Sequence, residues 1–413
     1  MPGLLYPAYQ KFFSALACLE RFKKDNDFFS NIASLDTFFS EYRSITLVMK
    51  KSLTHTPYIK NYQDKVATEG FDSWLNTQRV KVVHTHPVEF SKQISISIYL
   101  PNQALELLTQ SFCIEDDTPL ASIIDALKAV FAQVNTTEVF FSTKYTFREK
   151  DSGEDILQKA LMGIVSMQEF LDAIYLEINE DCPLCNQLRE QIGKSDVMYI
   201  PNDFMLVDDY VYYPSREEFE KAARMAFVLG GPFGKKRSPL SEFNTIQSAR
   251  EADYFRKFVV MHVSMGTTEL MPTIMVVYHD DTFSLDSFNA DVKTTFYRKI
   301  NEISNIISCM DVREVYFMTV YVLCDASEEN LLRSSKERLV HERLEFLTFM
   351  KVDYELSEEE YTFESKTISN PESVARQFIK GSCSKLNFGV MNMAPIVNAF
   401  MQKHAQSELS KGE

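Results

Sequence analysis

The sequence predicts an α+β protein, with an N-terminal four-helix up-and-down bundle followed by a mixed α+β body. Three observations carry this. Between residues 27 and 53, apolar side chains recur in steps of four and three, the period of packed helices. After Val88 the pattern changes, and β-branched runs begin to alternate with helical segments. Hydrophobic residues make up 45% of the 413, with 32 Phe and 19 Tyr, enough to fill the cores of two or three domains.

The bundle comes first. Residues 7–25 read as a helix, since Pro7 suits a first helical position and Phe12, Leu16 and Leu19 share a face. In 27–53, Phe28, Ile32, Leu35, Phe39, Tyr42, Met49 and Leu53 form the stripe, and Pro57 ends it because its ring disfavours helical geometry one residue earlier. Residues 58–69 predict a shorter helix closed by Gly70. Residues 71–86 predict a fourth, with Leu75, Arg79, Val82 and His86 on one stripe and Pro87 as its stop. Short connections between four helices imply antiparallel neighbours.

In the body, 93–100 (QISISIYL) reads as a strand, 118–134 as a helix, 138–147 as a strand and 154–178 as a long amphipathic helix. Residues 198–200 and 204–213 read as short strands. Residues 215–228 read as a helix, from the capping-box spacing of Ser215 and Glu218. Three Gly, two Pro and a basic triplet in 230–239 predict a linker rather than a phosphate cradle, for no strand–GxxxxGK[ST]–helix frame surrounds them. Beyond it, 258–263, 273–278, 312–323 and 344–354 predict strands, and 288–307, 371–379 and 390–404 predict helices. The expected domains are 1–89, 90–232 and 248–413, with 233–247 as linker. The strand–helix–strand order of 93–147 recurs at 273–323, which suggests two related α+β units.

Composition narrows the class of function. No window approaches the roughly 18 apolar residues of a membrane span, and the N-terminus lacks the pattern of a secretory signal. The seven Cys are odd in number and scattered, which fits a reducing compartment, and a cytoplasmic location is expected. The net charge of −15 argues against general coating of nucleic acid. It is uneven: residues 1–87 sum to +3 and the remainder to −18. A mildly basic head either touches a polyanion locally or reflects chance.

The stretch 71–87, FDSWLNTQRVKVVHTHP, holds the only Trp and two of the seven His. A fixed cation beside an imidazole can cleave RNA without a metal. The imidazole exchanges a proton with the ribose 2′-hydroxyl or the leaving oxygen, and the guanidinium clamps the scissile phosphate. On an ideal helix His86 falls near the azimuth of Arg79, about 10 Å further along the axis. His84 lies about 140° round unless the helix unwinds toward Pro87.

With Arg79, His84 and His86 at four- and six-residue spacings, ahead of a Pro and on the last of four helices, residues 1–90 resemble the HEPN superfamily of helical bundles. The acidic residue and Arg-Ser on the long second helix, Glu41-Tyr42-Arg43-Ser44, add to the likeness. The resemblance implies an endoribonuclease of the toxin or phage-defence kind, acting on RNA as a homodimer joined through the bundle, with no metal and no cofactor. It makes Arg79 the phosphate clamp, His84 the general acid/base and His86 an auxiliary, with Glu41 and Arg43 in support. The family carries a polar residue directly after the Arg, and here that position is Val80. Val80 favours the alternative, a non-catalytic dimeric interaction or sensing protein, in which Arg79 pairs with a carboxylate such as Glu41 and the His cap the helix end. Extra apolar residues on the long helix, Phe29, Phe38, Ile45 and Val48, point to an interface on the bundle.

The remaining motifs say less. Cys182-Pro-Leu-Cys185 is a lone CxxC, and a zinc site needs two further ligands, so two plain thiols are expected. Asp208-Asp209, Asp280-Asp281 and Glu358-Glu359-Glu360 could act as metal ligands, and His279-Asp280-Asp281, just after a strand, is the best placed; no second cluster has a defined relation to it, so a solvated turn is expected there. No P-loop, GxSxG or HExxH occurs.

Overall fold

The computed structural model describes residues 3–69, 73–100, 104–115, 118–134, 137–179, 181–195, 206–222, 226–229, 237–245, 253–265, 271–288, 292–323, 327, 344–364, 366–380 and 393–411. The chain is α+β, and its contacts divide it into two compact units. The first holds 1–95, 111–119 and 144–207, and the second holds the rest.

The N-terminal helices follow the sequence pattern closely. Helix α1 (Tyr6–Leu19) carries Pro at its start. Asp27 caps α2 (Phe28–Leu53) by accepting from the Ser30 amide at 2.9 Å. Helices α3 (Ile59–Glu69) and α4 (Ser73–His84) complete the expected four. Phe38 and Ile45 are fully buried, so of the residues expected to mark an exposed interface on α2 only Phe29 stands well out of the surface.

Strands β1 (Phe90–Tyr99) and β2 (Glu106–Ile114) follow, then α5 (Leu120–Phe131) and β3 (Val139–Glu149). Ser95 and Ser97 of β1 hydrogen-bond to Ser111 and Thr109 of β2, which sets the hairpin register. Helix α6 (Ile156–Ile178) is capped by Asp155, whose carboxylate accepts from the amides of Leu157 and Gln158. Helix α7 (Pro183–Gly193) is capped by the Cys182 thiol.

These two helices move the expected division at residue 89. Ile156, Ile164, Met167, Phe170 and Leu171 of α6 share one core with Phe12 and Leu16 of α1 and Phe39 and Met49 of α2. Four helices of under 90 residues leave too much of α1 and α2 uncovered, and α6 and α7 supply the missing apolar surface.

Strands β4 (Val207–Tyr213) and β5 (Glu218–Lys221) complete a five-stranded sheet of order β2-β1-β3-β4-β5. The helix expected over 215–228 is absent. A four-residue turn after Tyr213, with Glu217 at φ 54, folds β5 antiparallel onto β4, and strand β6 (Ala226–Leu229) follows. Strand pairing outbids the local capping signal, whose Ser-x-x-Glu spacing also fits this turn. The strand expected over 198–200, residues 204–205, and 230–236 of the expected linker lie outside the described residues.

The second unit contains a seven-stranded sheet. Its strands are β6, β7 (Ser238–Pro239), β8 (Thr273–Tyr278), β9 (Thr282–Phe288), β10 (Val312–Leu323), β11 (Leu344–Asp353) and β12 (Glu358–Glu364). Their order is β12-β11-β10-β8-β9-β6, with β7 also on β9. The expected linker therefore does not separate domains: 226–229 and 238–239 pair with β9, and Leu240 and Phe243 are buried beyond them.

Between β7 and β8 lies helix α8 (Tyr254–Met265), where a strand was expected over 258–263. Its Phe-Val-Val run is buried almost all round, and full burial erases the helical stripe that separates helix from strand in a sequence. Helices α9 (Lys293–Cys309), α10 (Pro371–Ile379) and α11 (Ala394–Lys411) complete the unit. Alternation along the strands builds its two cores. Ile274, Val276, Val315, Phe317 and Val352 meet α9 and α11 on one face. Met275, Val277, Tyr316, Met318 and Phe349 meet α8 and α10 on the other.

The suspected internal relationship has a topological counterpart. In each sheet a hairpin is followed by a helix, a strand pairing with the first strand of that hairpin, and two further strands outward. The order β2-β1-β3-β4-β5 is matched by β9-β8-β10-β11-β12.

Candidate functional site

Helix α4 is held from one side. Leu75 and Gln78 are buried, and the Trp74 ring meets Phe39 edge-on at 6.0 Å. Opposite Leu75 lies Gly163 of α6, where an added Cβ would sit 2.2 Å from Leu75 Cδ1. The missing side chain is what lets the two helices approach, and the Tyr42 hydroxyl donates to the Gly163 carbonyl at 2.9 Å.

A charged knot pins the last turn. Lys81 Nζ donates to Glu149 at 2.9 Å and to Asp151 at 2.6 Å, and the Ser152 amide and hydroxyl both donate to Glu149 at 2.6 Å. Burial pushes the Glu149 carboxyl up, but these hydrogen bonds outweigh it and leave a pKa of about 2. Nothing in the sequence announces this knot, since its halves lie 68 residues apart.

Arg79, half-buried, has no hydrogen bond or ion pair among the described residues. The carboxylate expected for it in the non-catalytic reading, Glu41, is taken by Lys11, whose Nζ lies 3.0 and 3.1 Å from its two oxygens. Arg43 donates to Thr46 Oγ1 at 2.7 Å. So neither Glu41 nor Arg43 is joined to Arg79.

His84 is the last residue of α4, exposed, and likewise without a partner among the described residues. The Thr85 amide still donates to the Lys81 carbonyl at 2.7 Å, so the helix has not unwound at His84. Five residues of regular helix then keep His84 about 140° from Arg79. His86 lies past the helix end, with Nδ1 2.8 Å from the Pro87 carbonyl oxygen. Arg79 and His84 therefore leave α4 in directions about 140° apart, and His86 lies beyond its end.

Between the azimuths of Arg79 and His84 runs the solvent face of α4. Asn76, Val80 and Val83 lie there, the two valines 42% and 47% exposed, and the face carries no carboxylate. A cavity of about 250 Å³ in the same unit, lined among others by Phe13, Glu20, Lys194 and Ser195, includes none of the motif residues.

The acidic groups are used structurally. Asp209 is fully buried and receives Arg298 in a two-pronged ion pair at 2.8 and 3.1 Å, while Asp208 pairs with Lys221 at 3.0 Å. Asp280 accepts from the Thr282 amide in the β8–β9 turn, with Asp281 at φ 56, and Glu358–Glu360 form the start of β12. No group of three or more His, Cys, Asp or Glu able to hold a metal occurs among the described residues. Nor is any helix among them long and apolar enough to cross a membrane. No family model matches this chain, and no curated protein or solved structure matches it.

Proposed function

We propose that the chain is a non-catalytic interaction protein whose helical unit pairs with a second copy through the outer face of α4. One observation carries this reading. Val80 and Val83 present adjacent apolar surface, flanked by a cation and an imidazole that no described residue engages. A face of that composition suits a contact in which valines are covered and polar flanks find partners across a two-fold axis. Light scattering at low micromolar concentration tests it. A dimer mass is expected for the native chain and a monomer mass for the Val80→Asp, Val83→Asp variant. A native monomer, or a dimer indifferent to both charges, overturns the reading.

A second reading, RNA cleavage by Arg79 and His84, keeps one specific support. The guanidinium is not neutralised by Glu41, and the imidazole is open to solvent. Two copies would have to supply the convergence that one helix does not. This reading expects cleavage of single-stranded RNA in EDTA with 2′,3′-cyclic phosphate ends, lost in the Arg79→Ala, His84→Ala variant.

A further inference from the structure

The CxxC motif is more than two stray thiols. Cys182 sits at the N-cap of α7, where its Sγ accepts from the Cys185 amide at 3.4 Å. The Gly3 amide donates to the same sulfur at 3.3 Å, from a segment 179 residues away. Cys185 lies in the first turn of α7, three residues on from Cys182. Both cysteines are reduced and buried, 3% and 0% exposed.

We infer that Cys182 and Cys185 form a redox-active dithiol, with Cys182 as the attacking thiolate and Cys185 as the resolving thiol, oxidised by a small peroxide. Two backbone amides, those of Cys185 and Gly3, converge on Cys182 Sγ. Burial opposes ionisation of Cys182, but these hydrogen bonds prevail and its pKa falls below that of an ordinary thiol. Cys182 at the N-cap and Cys185 three residues on stand one helical turn apart, the spacing at which side chains on a helix are neighbours. Their burial restricts the oxidant to something of peroxide size.

The chemistry balances in two steps. The Cys182 thiolate attacks one peroxide oxygen, the O–O bond breaks, and the departing oxygen leaves as water after taking a proton. This gives a sulfenic acid on Cys182. Cys185 sulfur then attacks Cys182 sulfur, the S–OH bond breaks, and the hydroxide takes the Cys185 proton to leave as a second water. The two sulfurs lose two electrons and one peroxide gains them.

The test uses the full native chain. It is treated with hydrogen peroxide, quenched with catalase, denatured, alkylated and mapped by peptide mass. The peptide holding both cysteines is expected to lose two hydrogens and escape alkylation before the exposed Cys113 and Cys309 react, and dithiothreitol should reverse this. In Cys185→Ser the bridge should vanish and dimedone should mark Cys182. In Cys182→Ser, whose hydroxyl preserves the helix cap, the bridge should vanish and no dimedone mark should appear at Cys185. Full alkylation of Cys182 and Cys185 while Cys113 and Cys309 oxidise overturns the inference. So does an unmarked Cys182 in Cys185→Ser.

Discussion

Replacing Glu149 with Gln should remove a defined part of the acid sensitivity of the helical unit. The group titrates near 4.5 in an unfolded chain and at about 2 in the folded one. That difference is worth about 3 kcal/mol. A carboxyl whose folded pKa is depressed stabilises fully above its unfolded value and stops doing so as pH falls through the folded one. The window is therefore pH 4.5 down to about 2. Glu149 is 3% exposed, so solvent screens the knot less than a surface pair. Trp74, the only Trp, stands on α4 itself, so its fluorescence during urea unfolding reports on the unit that holds the knot. Native protein should lose about 3 kcal/mol between pH 4.5 and 2 from this group, and Glu149→Gln should lose that much less. Lys81→Met should cost about 1–3 kcal/mol at pH 7, because it strips a buried carboxylate of one charged donor. An unchanged pH slope in Glu149→Gln, together with unchanged stability in Lys81→Met, would refute the account of what pins α4.

Three further outcomes are expected. Gly163→Ala gains about 1 kcal/mol in helix propensity but meets Leu75 Cδ1 at 2.2 Å, an overlap costing about 1–3 kcal/mol, so a Tm at or above the native value contradicts the packing described. Burial lowers the His262 pKa to about 4, against a hydrogen bond between Nδ1 and the Phe258 carbonyl that raises it. The second unit should therefore lose about 3 kcal/mol as pH falls from 6.5 to 4, and a His262→Phe variant followed by circular dichroism should show a flatter profile. Val83→Asp alone, 47% exposed in the chain, should weaken self-association and remove the concentration dependence of the Tm, and a Tm well below the native value at concentrations where both are monomeric would place Val83 inside the fold instead.

The legible parts of the fold were those with local signals. The α2 start at Asp27 and the β8 and β10 strands match the sequence reading to the residue, because a cap and two β-branched runs mark them. Strand β2 was invisible: it is exposed over most of its length and shows no alternation to detect. Helix α8 read as a strand for the opposite reason, burial on nearly all sides. At the candidate site, the spacing located α4, Arg79 and His84. What spacing cannot convey is who else claims a partner: Lys11 on Glu41, or Glu149 on Lys81 from 68 residues away. Nor could it decide whether the helix would still be regular at His84, which depends on one hydrogen bond from Thr85.

The central claim is that the outer face of α4 binds and does not cut. Incubating the purified full chain with single-stranded RNA in EDTA addresses it directly, with the Arg79→Ala, His84→Ala variant alongside. The account predicts intact RNA from both proteins. Fragments ending in 2′,3′-cyclic phosphate from the native chain, and none from the variant, would contradict it.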